Sequence, residues 1–219
     1  MTEQNHREAD MPKAFPAERM KAFVDAVVAI ALTLLILPLM ESVAELAGAD
    51  GAAAYWFAEH WPQIVSFVIS FAIILLFWMR HHRLFADVER VTGRLLWLTG
   101  LWMLTIVWLP VATAMSGQFD SEPLVEGTYI GSMAAASIAQ LLGRVYLNAH
   151  PELHSIDQDQ LRAGMAADVV TILLFVIALV VAVALPMIGY FSLFLLMATG
   201  RLSSVYVKLR ARRAGAGAR

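Results

Sequence analysis

Cysteine is absent from this 219-residue chain, which excludes a disulfide framework, thiol chemistry and any Cys-built metal site. Without thiols the redox compartment cannot be read. Charge is scarce as well: charged residues make up 16% of the chain, against roughly 25% in soluble domains. Apolar residues reach 59%, and the mean hydropathy is +0.66. A chain with so few charges and so much apolar surface partitions into lipid, so the sequence describes an integral membrane protein. Its formal net charge of -2 decides little, because in such proteins the placement of charge matters more than its sum.

Motifs for catalysis are missing too. No Gly-rich phosphate loop, nucleophile elbow or pair of intramembrane carboxylates is present. "HPELH" places His150 and His154 four apart, but the zinc-protease pattern needs Glu directly after the first His, where Pro151 stands. Two histidines are too few ligands for a catalytic metal. His81 and His82 are adjacent, so on a helix their rings point in different directions and form no chelate. No enzyme activity, cofactor, metal or nucleic-acid partner is expected. The backbone-carbonyl filter Thr-Val-Gly-Tyr-Gly is also absent.

An apolar segment needs about 20 residues to cross the hydrocarbon core. Four single spans meet this: 22–40, 64–79 (extended outward by Trp61 and Pro62), 95–115 and 124–147. The run 169–197 is too long for one span, and Pro186 and Gly189 divide it into two helices joined by a short hairpin. The spans lack period-2 alternation, which argues against a closed barrel. The fold class expected is therefore all-α, with six transmembrane helices. In that arrangement all 16 Lys and Arg residues fall on one side, including Arg7, Lys13, Arg80, Arg144, Arg162 and Arg201. The positive-inside rule makes that side, and both termini, cytoplasmic. The opposite loops carry Glu41, Glu45, Asp50, Glu59, Asp120, Glu122 and Glu126 and no basic residue. This gives a polar N-terminal segment (1–17), a six-helix membrane domain (18–209) and a basic tail (210–219). The first span is too long for a signal-peptide core and lacks a cleavage site, so it is expected to be retained.

Polar residues inside the spans are few: Thr33, Ser66, Ser70, Thr105, Ser132, Ser137 and Thr171. None is an ionised relay, which weakens a proton-coupled transporter. Gly127 and Gly131 form G-x-x-x-G in the fourth span, where helix packing is the default expectation. Asp25 stands out within "RMKAFVDAVVAIALTLLILPL". Two roles are open for it: a helix-terminus carboxylate that complements the dipole, or a buried hub pairing with Arg19 and with His81 or His82.

That segment resembles the first helix of the transmembrane protein 175 family, the endosomal and lysosomal potassium channels and their bacterial relatives, whose hallmark is R-x-x-x-F-S-D. Arg19, Phe23 and Asp25 match it, with Val24 in place of Ser. "SFVISFAIILLFWMRHHRLFADVERV" and "LLWLTGLWMLTIVWLPVATAMSG" are similar to the family's second and third helices, with Thr99 where Asn is usual. The specific match covers residues 19–117. The resemblance implies a potassium-permeable cation channel in which the first helix lines the pore. It places the hydrophobic constriction at Ile30, Leu34 and Leu37 and a structural hub at Arg19, Phe23, Asp25, His81 and His82. Composition alone gives the three apolar positions a lipid-facing or packing role. Glu41, one turn beyond Leu37, would concentrate cations at the outer mouth. The chain holds one copy of the motif, so the resemblance implies a homotetramer in membrane lipid with K+ as the permeant ion, in a cell membrane of the bacterial inner-membrane kind. The rival expectations are a small secondary transporter and a non-conducting membrane scaffold.

Overall fold

In a computed structural model of the chain, the described residues are 14–45, 52–119 and 122–184. They form β1 (Ala14–Pro16), α1 (Glu18–Leu34), α2 (Leu37–Glu45), α3 (Ala52–Glu59), α4 (Trp61–Phe85), β2 (Arg90–Thr92), α5 (Gly93–Gln118), α6 (Pro123–Ala149), a 3-10 turn (Pro151–Leu153) and α7 (Gln158–Ala184). Among the described residues, five spans are long and apolar enough to cross a membrane: α1 with α2 (Glu18–Ala44), α4, α5, α6 and α7 (Gln158–Ala182). Large apolar side chains lie bare on them, among them Trp97, Leu104 and Val180. Water would penalise such surfaces and lipid does not, so the chain is a multi-pass membrane protein. The sixth helix, the Pro186–Gly189 hairpin and the basic tail expected from the sequence lie outside the described residues.

Local chemistry explains where the helices begin. Pro62 and Pro123 occupy first-turn positions of α4 and α6, where a missing N–H costs nothing. Thr92 caps α5, its hydroxyl accepting from the Leu95 N–H at 3.3 Å. The Asp157 carboxylate accepts from the N–H groups of Asp159 (2.7 Å) and Gln160 (3.3 Å) and so starts α7. α7 therefore begins eleven residues before the apolar run at Val169. Its first turns are polar, so hydropathy does not register them, although Gln, Leu, Arg, Met and Ala are good helix formers. α3 was likewise not expected; it is a short helix between the first two spans, tied to α2 where Trp56 Nε1–H donates to the Ser42 hydroxyl at 3.1 Å. The first span is not continuous. Pro38 has no N–H to give the Leu34 carbonyl and its ring crowds that turn, so the chain turns at Leu35 and Ile36 between α1 and α2.

α5 packs against α1, α4 and α6, and α6 against α5 and α7, with the core running through Ile74, Trp102, Ile106, Leu109, Ile130 and Met133. At one end β1 pairs antiparallel with β2, Ala14 opposite Thr92 and Pro16 opposite Arg90. The loop after α4 is tied to the turn after α6 by Glu89 N–H to the Leu153 carbonyl and Ser155 N–H to the Asp87 carbonyl, each 3.0 Å. The start of α1, residues 86–92 and residues 150–156 thus share one end of the bundle. The G-x-x-x-G of α6 packs without a close backbone approach: a Cβ at Gly127 would meet Leu179 Cδ1 at an ordinary 3.8 Å, and one at Gly131 would meet nothing within 4 Å among the described residues.

Candidate functional site

On α1 and α2, Met20, Val24, Val28, Ala31, Leu35 and Leu39 are buried at helical spacing and form the packed stripe. The opposite face is uncovered. Ile30 is 59% exposed, Leu34 38% and Leu37 45%, and Phe23, Arg19 and Glu41 lie exposed along the same side. Ile30 and Leu34 share one turn-to-turn face of α1. Leu37 begins α2 beyond the Pro38 turn, so it reaches that side across a break and not along a continuous helix. Thr33, which donates its hydroxyl to the Ile30 carbonyl at 2.7 Å, closes its own hydrogen bond within this stretch.

The hub residues divide into two sites. Asp25, with its side chain 45% exposed, accepts from Trp78 Nε1–H at 2.7 Å, and its Oδ1 lies 4.0 Å from His82 Nδ1. Trp78 and His82 are four residues apart on α4 and pack ring against ring, presenting both groups to α1. Among the described residues no ion pair within 4.0 Å joins Asp25 to Arg19. In the single chain Asp25 is thus a half-buried anchor between α1 and α4, held by an indole.

His81 faces the other way. It is buried, stacked on Trp102 with ring centroids 4.0 Å apart and on Phe85 at 4.4 Å, and its Nδ1 lies 3.0 Å from Gln140 Oε1. Only an Nδ1–H can donate to that amide oxygen, which leaves Nε2 as an acceptor. Nε2, the Thr99 hydroxyl, Trp102 Nε1 and Gln140 Nε2 are all buried without a hydrogen-bond partner among the described residues. They border a gap of about 10 Å³, close to the volume at which one water fits. The histidines of "HPELH" are spent on local structure: His150 Nδ1 bonds the Tyr146 carbonyl, and His154 takes the Ile156 N–H on Nδ1 and gives Nε2–H to the Leu147 carbonyl.

A third cluster went unread in the sequence. Asp168, 1% exposed, receives Arg80 Nη2 at 2.6 Å and Arg144 Nε at 2.8 Å, and Arg80 Nη1 donates to the Thr171 hydroxyl at 3.3 Å. The two arginines count as topology determinants when sorted by loop, and Asp168 looks like the polar edge of an apolar run. The available signal was an acidic residue at the same end of the membrane domain as two arginines from other helices. Deeper in the bundle, Ser70 bonds the Tyr129 hydroxyl at 2.7 Å and accepts from Thr113 at 2.9 Å, joining α4, α5 and α6. Such interhelical hydroxyl bonds hold helices together where lipid supplies no hydrophobic drive.

These features define a helical multi-pass membrane protein whose first span leaves one apolar face open. Residues 19–110 match the family model described as endosomal/lysosomal potassium channel TMEM175. This segment is similar to that family and includes the R-x-x-x-F-x-D stretch. Among curated relatives, a potassium channel of Streptomyces collinus is 37% identical over 106 residues, 48% of this chain and 49% of the relative. A potassium channel of Chamaesiphon minutus is 30% identical over 132 residues, covering 59% and 64%. The endosomal/lysosomal proton channel TMEM175 of Bos taurus is 31% identical over 119 residues, covering 52% and 25%. The chain spans about half the length of the first of these relatives and under two thirds of the second. The fold is shared with the crystal structure of a lysosomal potassium-selective channel TMEM175 homolog from Chamaesiphon minutus, at a TM-score of 0.61 and 24% identity, covering 85% of this chain and 97% of that one.

Proposed function

We propose that this protein is a potassium-permeable cation channel that assembles as a homotetramer, with the first span of each copy lining the pore. The observation that carries the proposal is the uncovered face of α1 and α2 bearing Ile30, Leu34 and Leu37, with Glu41 one turn further on. One helix cannot enclose a pore, and the chain holds one copy of the motif, so the face needs copies of itself. A ring of Ile and Leu side chains excludes water until it dilates, and so acts as both gate and selectivity barrier. It favours the cation that sheds water more cheaply, potassium over sodium. Glu41 and the acid-only outer loops raise the local cation concentration and repel anions. In this proposal the chain has six spans with both termini in the cytoplasm, Arg19, Phe23 and Asp25 set the inner end of the pore helix, and His81 and His82 hold α4 in place behind it.

The names of relatives agree with ion conduction but include both potassium and proton channels, so the permeant ion is the point to measure. Purified protein in planar bilayers under bi-ionic potassium and sodium conditions, repeated with a pH gradient, gives it directly. A reversal potential near the potassium equilibrium value supports the proposal. Reversal that follows the pH gradient alone replaces potassium with protons. Slow, saturable flux indicates a transporter, and no flux a scaffold.

A further inference from the structure

The buried Asp168 cluster opens onto a cavity of about 140 Å³ at the end of the bundle shared by α4, α6 and α7. Three guanidinium groups line it, Arg80, Arg83 and Arg144, against a single carboxylate, Asp168. The charge does not balance: the two arginines bonded to Asp168 leave one positive charge in excess, and Arg83 adds another. Arg144 and Arg80 are partly buried and Arg83 is exposed at the rim, so the excess positive charge faces a pocket that an anion can enter from solvent or from the headgroup layer. None of the nine residues lining the cavity is a second acid.

The donors are also unspent. Of the five N–H donors on Arg144, the described residues engage Nε–H, through Asp168. Arg83 donates to none of them. Gly164 contributes as well: a Cβ there would overlap the Arg144 guanidinium, so glycine leaves that group its room against α7. Planar guanidinium forks aimed into one space, with donors to spare, match the oxygens of a tetrahedral oxyanion. The cavity is roomy enough for several waters or one phosphate group. The amide of Gln160 lines the same space and adds a neutral polar group.

We propose that this cavity binds a phosphate group, the anion carried by phosphoglycerol lipid headgroups and by free inorganic phosphate. Its place at the end of three membrane helices puts it at headgroup depth, where basic pockets between spans take up anionic lipid. The site lies on the far side of α4 from Asp25 and is independent of the pore proposal: a protein that conducts nothing could still bind at it.

The test uses the full-length protein purified in uncharged detergent, its thermal unfolding followed by tryptophan fluorescence. Phosphatidylglycerol, phosphatidylcholine and inorganic phosphate are titrated separately at constant ionic strength. Arg83→Gln removes a rim charge that takes no part in the buried pairs, and Arg94→Gln removes an exposed charge outside the cavity. The midpoint should rise with phosphatidylglycerol and not with phosphatidylcholine, and Arg83→Gln should weaken the apparent affinity about fivefold while Arg94→Gln leaves it unchanged. A rise with inorganic phosphate that also depends on Arg83 makes free phosphate a ligand of the same site. A rise with the lipid alone assigns the site to the headgroup. Equal shifts with both lipids, equal weakening by both variants, or no shift with either anion would overturn the proposal.

Discussion

Asp25 and Asp168 sit near the same end of the bundle and are held by different physics. Asp25 is half exposed and accepts one indole N–H. Asp168 is enclosed between two guanidinium groups. Asp25→Ala removes one hydrogen bond to a charged group and should cost about 1 to 2 kcal/mol, at the low end because water reaches the carboxylate. Asp168→Ala leaves two partly buried arginines without their counter-ion and should cost on the order of 3 kcal/mol, less than the loss of a partner from a fully buried pair because water reaches Arg80. Unfolding midpoints in detergent rank the two, and an Asp25→Ala protein less stable than Asp168→Ala would reverse this account. At the proposed constriction, Ile30→Asn or Leu34→Asn wets an apolar ring. If that lowers the barrier by about 1.4 kcal/mol, single-channel current rises about tenfold and potassium preference falls. Val28 lies opposite Ile30 on the helix but is buried, so Val28→Asn would test folding instead of permeation. Val180→Asn on the bare face of α7 is the proper control and should leave current and selectivity unchanged.

Between elements, two glycines on packed helices separate sequence pattern from actual contact. Gly131 belongs to the G-x-x-x-G of α6, yet nothing lies within 4 Å of a Cβ there. Gly131→Ala should therefore be neutral or stabilising by up to about 1 kcal/mol, from helix propensity alone. Gly164 on α7 belongs to no motif, but its Cβ would displace the Arg144 guanidinium. Losing the Arg144 bond to Asp168 costs about 1.5 to 3 kcal/mol, and the propensity gain offsets about 1 of that. Gly164→Ala should thus destabilise by roughly 1 kcal/mol. Opposite signs in thermal unfolding are the expected result, and equal signs would remove the Arg144 contact from the argument.

For the molecule as a whole, the absence of cysteine makes topology directly measurable. Ala86→Cys and Ser155→Cys, both exposed at the end that holds β1 and β2, should be labelled by a membrane-impermeant reagent only after cells are opened. Tyr55→Cys on α3 should be labelled in intact cells. Labelling of positions 86 and 155 from outside would invert the proposed orientation. Detergent-corrected light scattering should give the mass of four chains; a monomer that still conducts would end the idea that copies of α1 form the pore wall.

Composition and hydropathy alone determined that the chain lives in lipid and where four of its spans lie, because transfer of apolar side chains out of water depends on what they are and hardly on their neighbours. Among the described residues, Arg80 and Arg144, which the sequence places on one side of the membrane, do meet at one end of the bundle. The R-x-x-x-F-x-D stretch was legible as a pattern and, with the two helices after it, gave a resemblance over residues 19–117, of which the family model matches 19–110. What the pattern did not contain was who meets whom. Asp25 finds Trp78, His81 and His82 divide between α6 and α1, and Pro38 breaks the span at the place where an uninterrupted face was expected. Asp168 gathers Arg80 and Arg144 from helices 88 and 24 residues away in sequence. Those pairings depend on helix rotation and crossing, which packing among distant segments decides, so only the tertiary structure could show them.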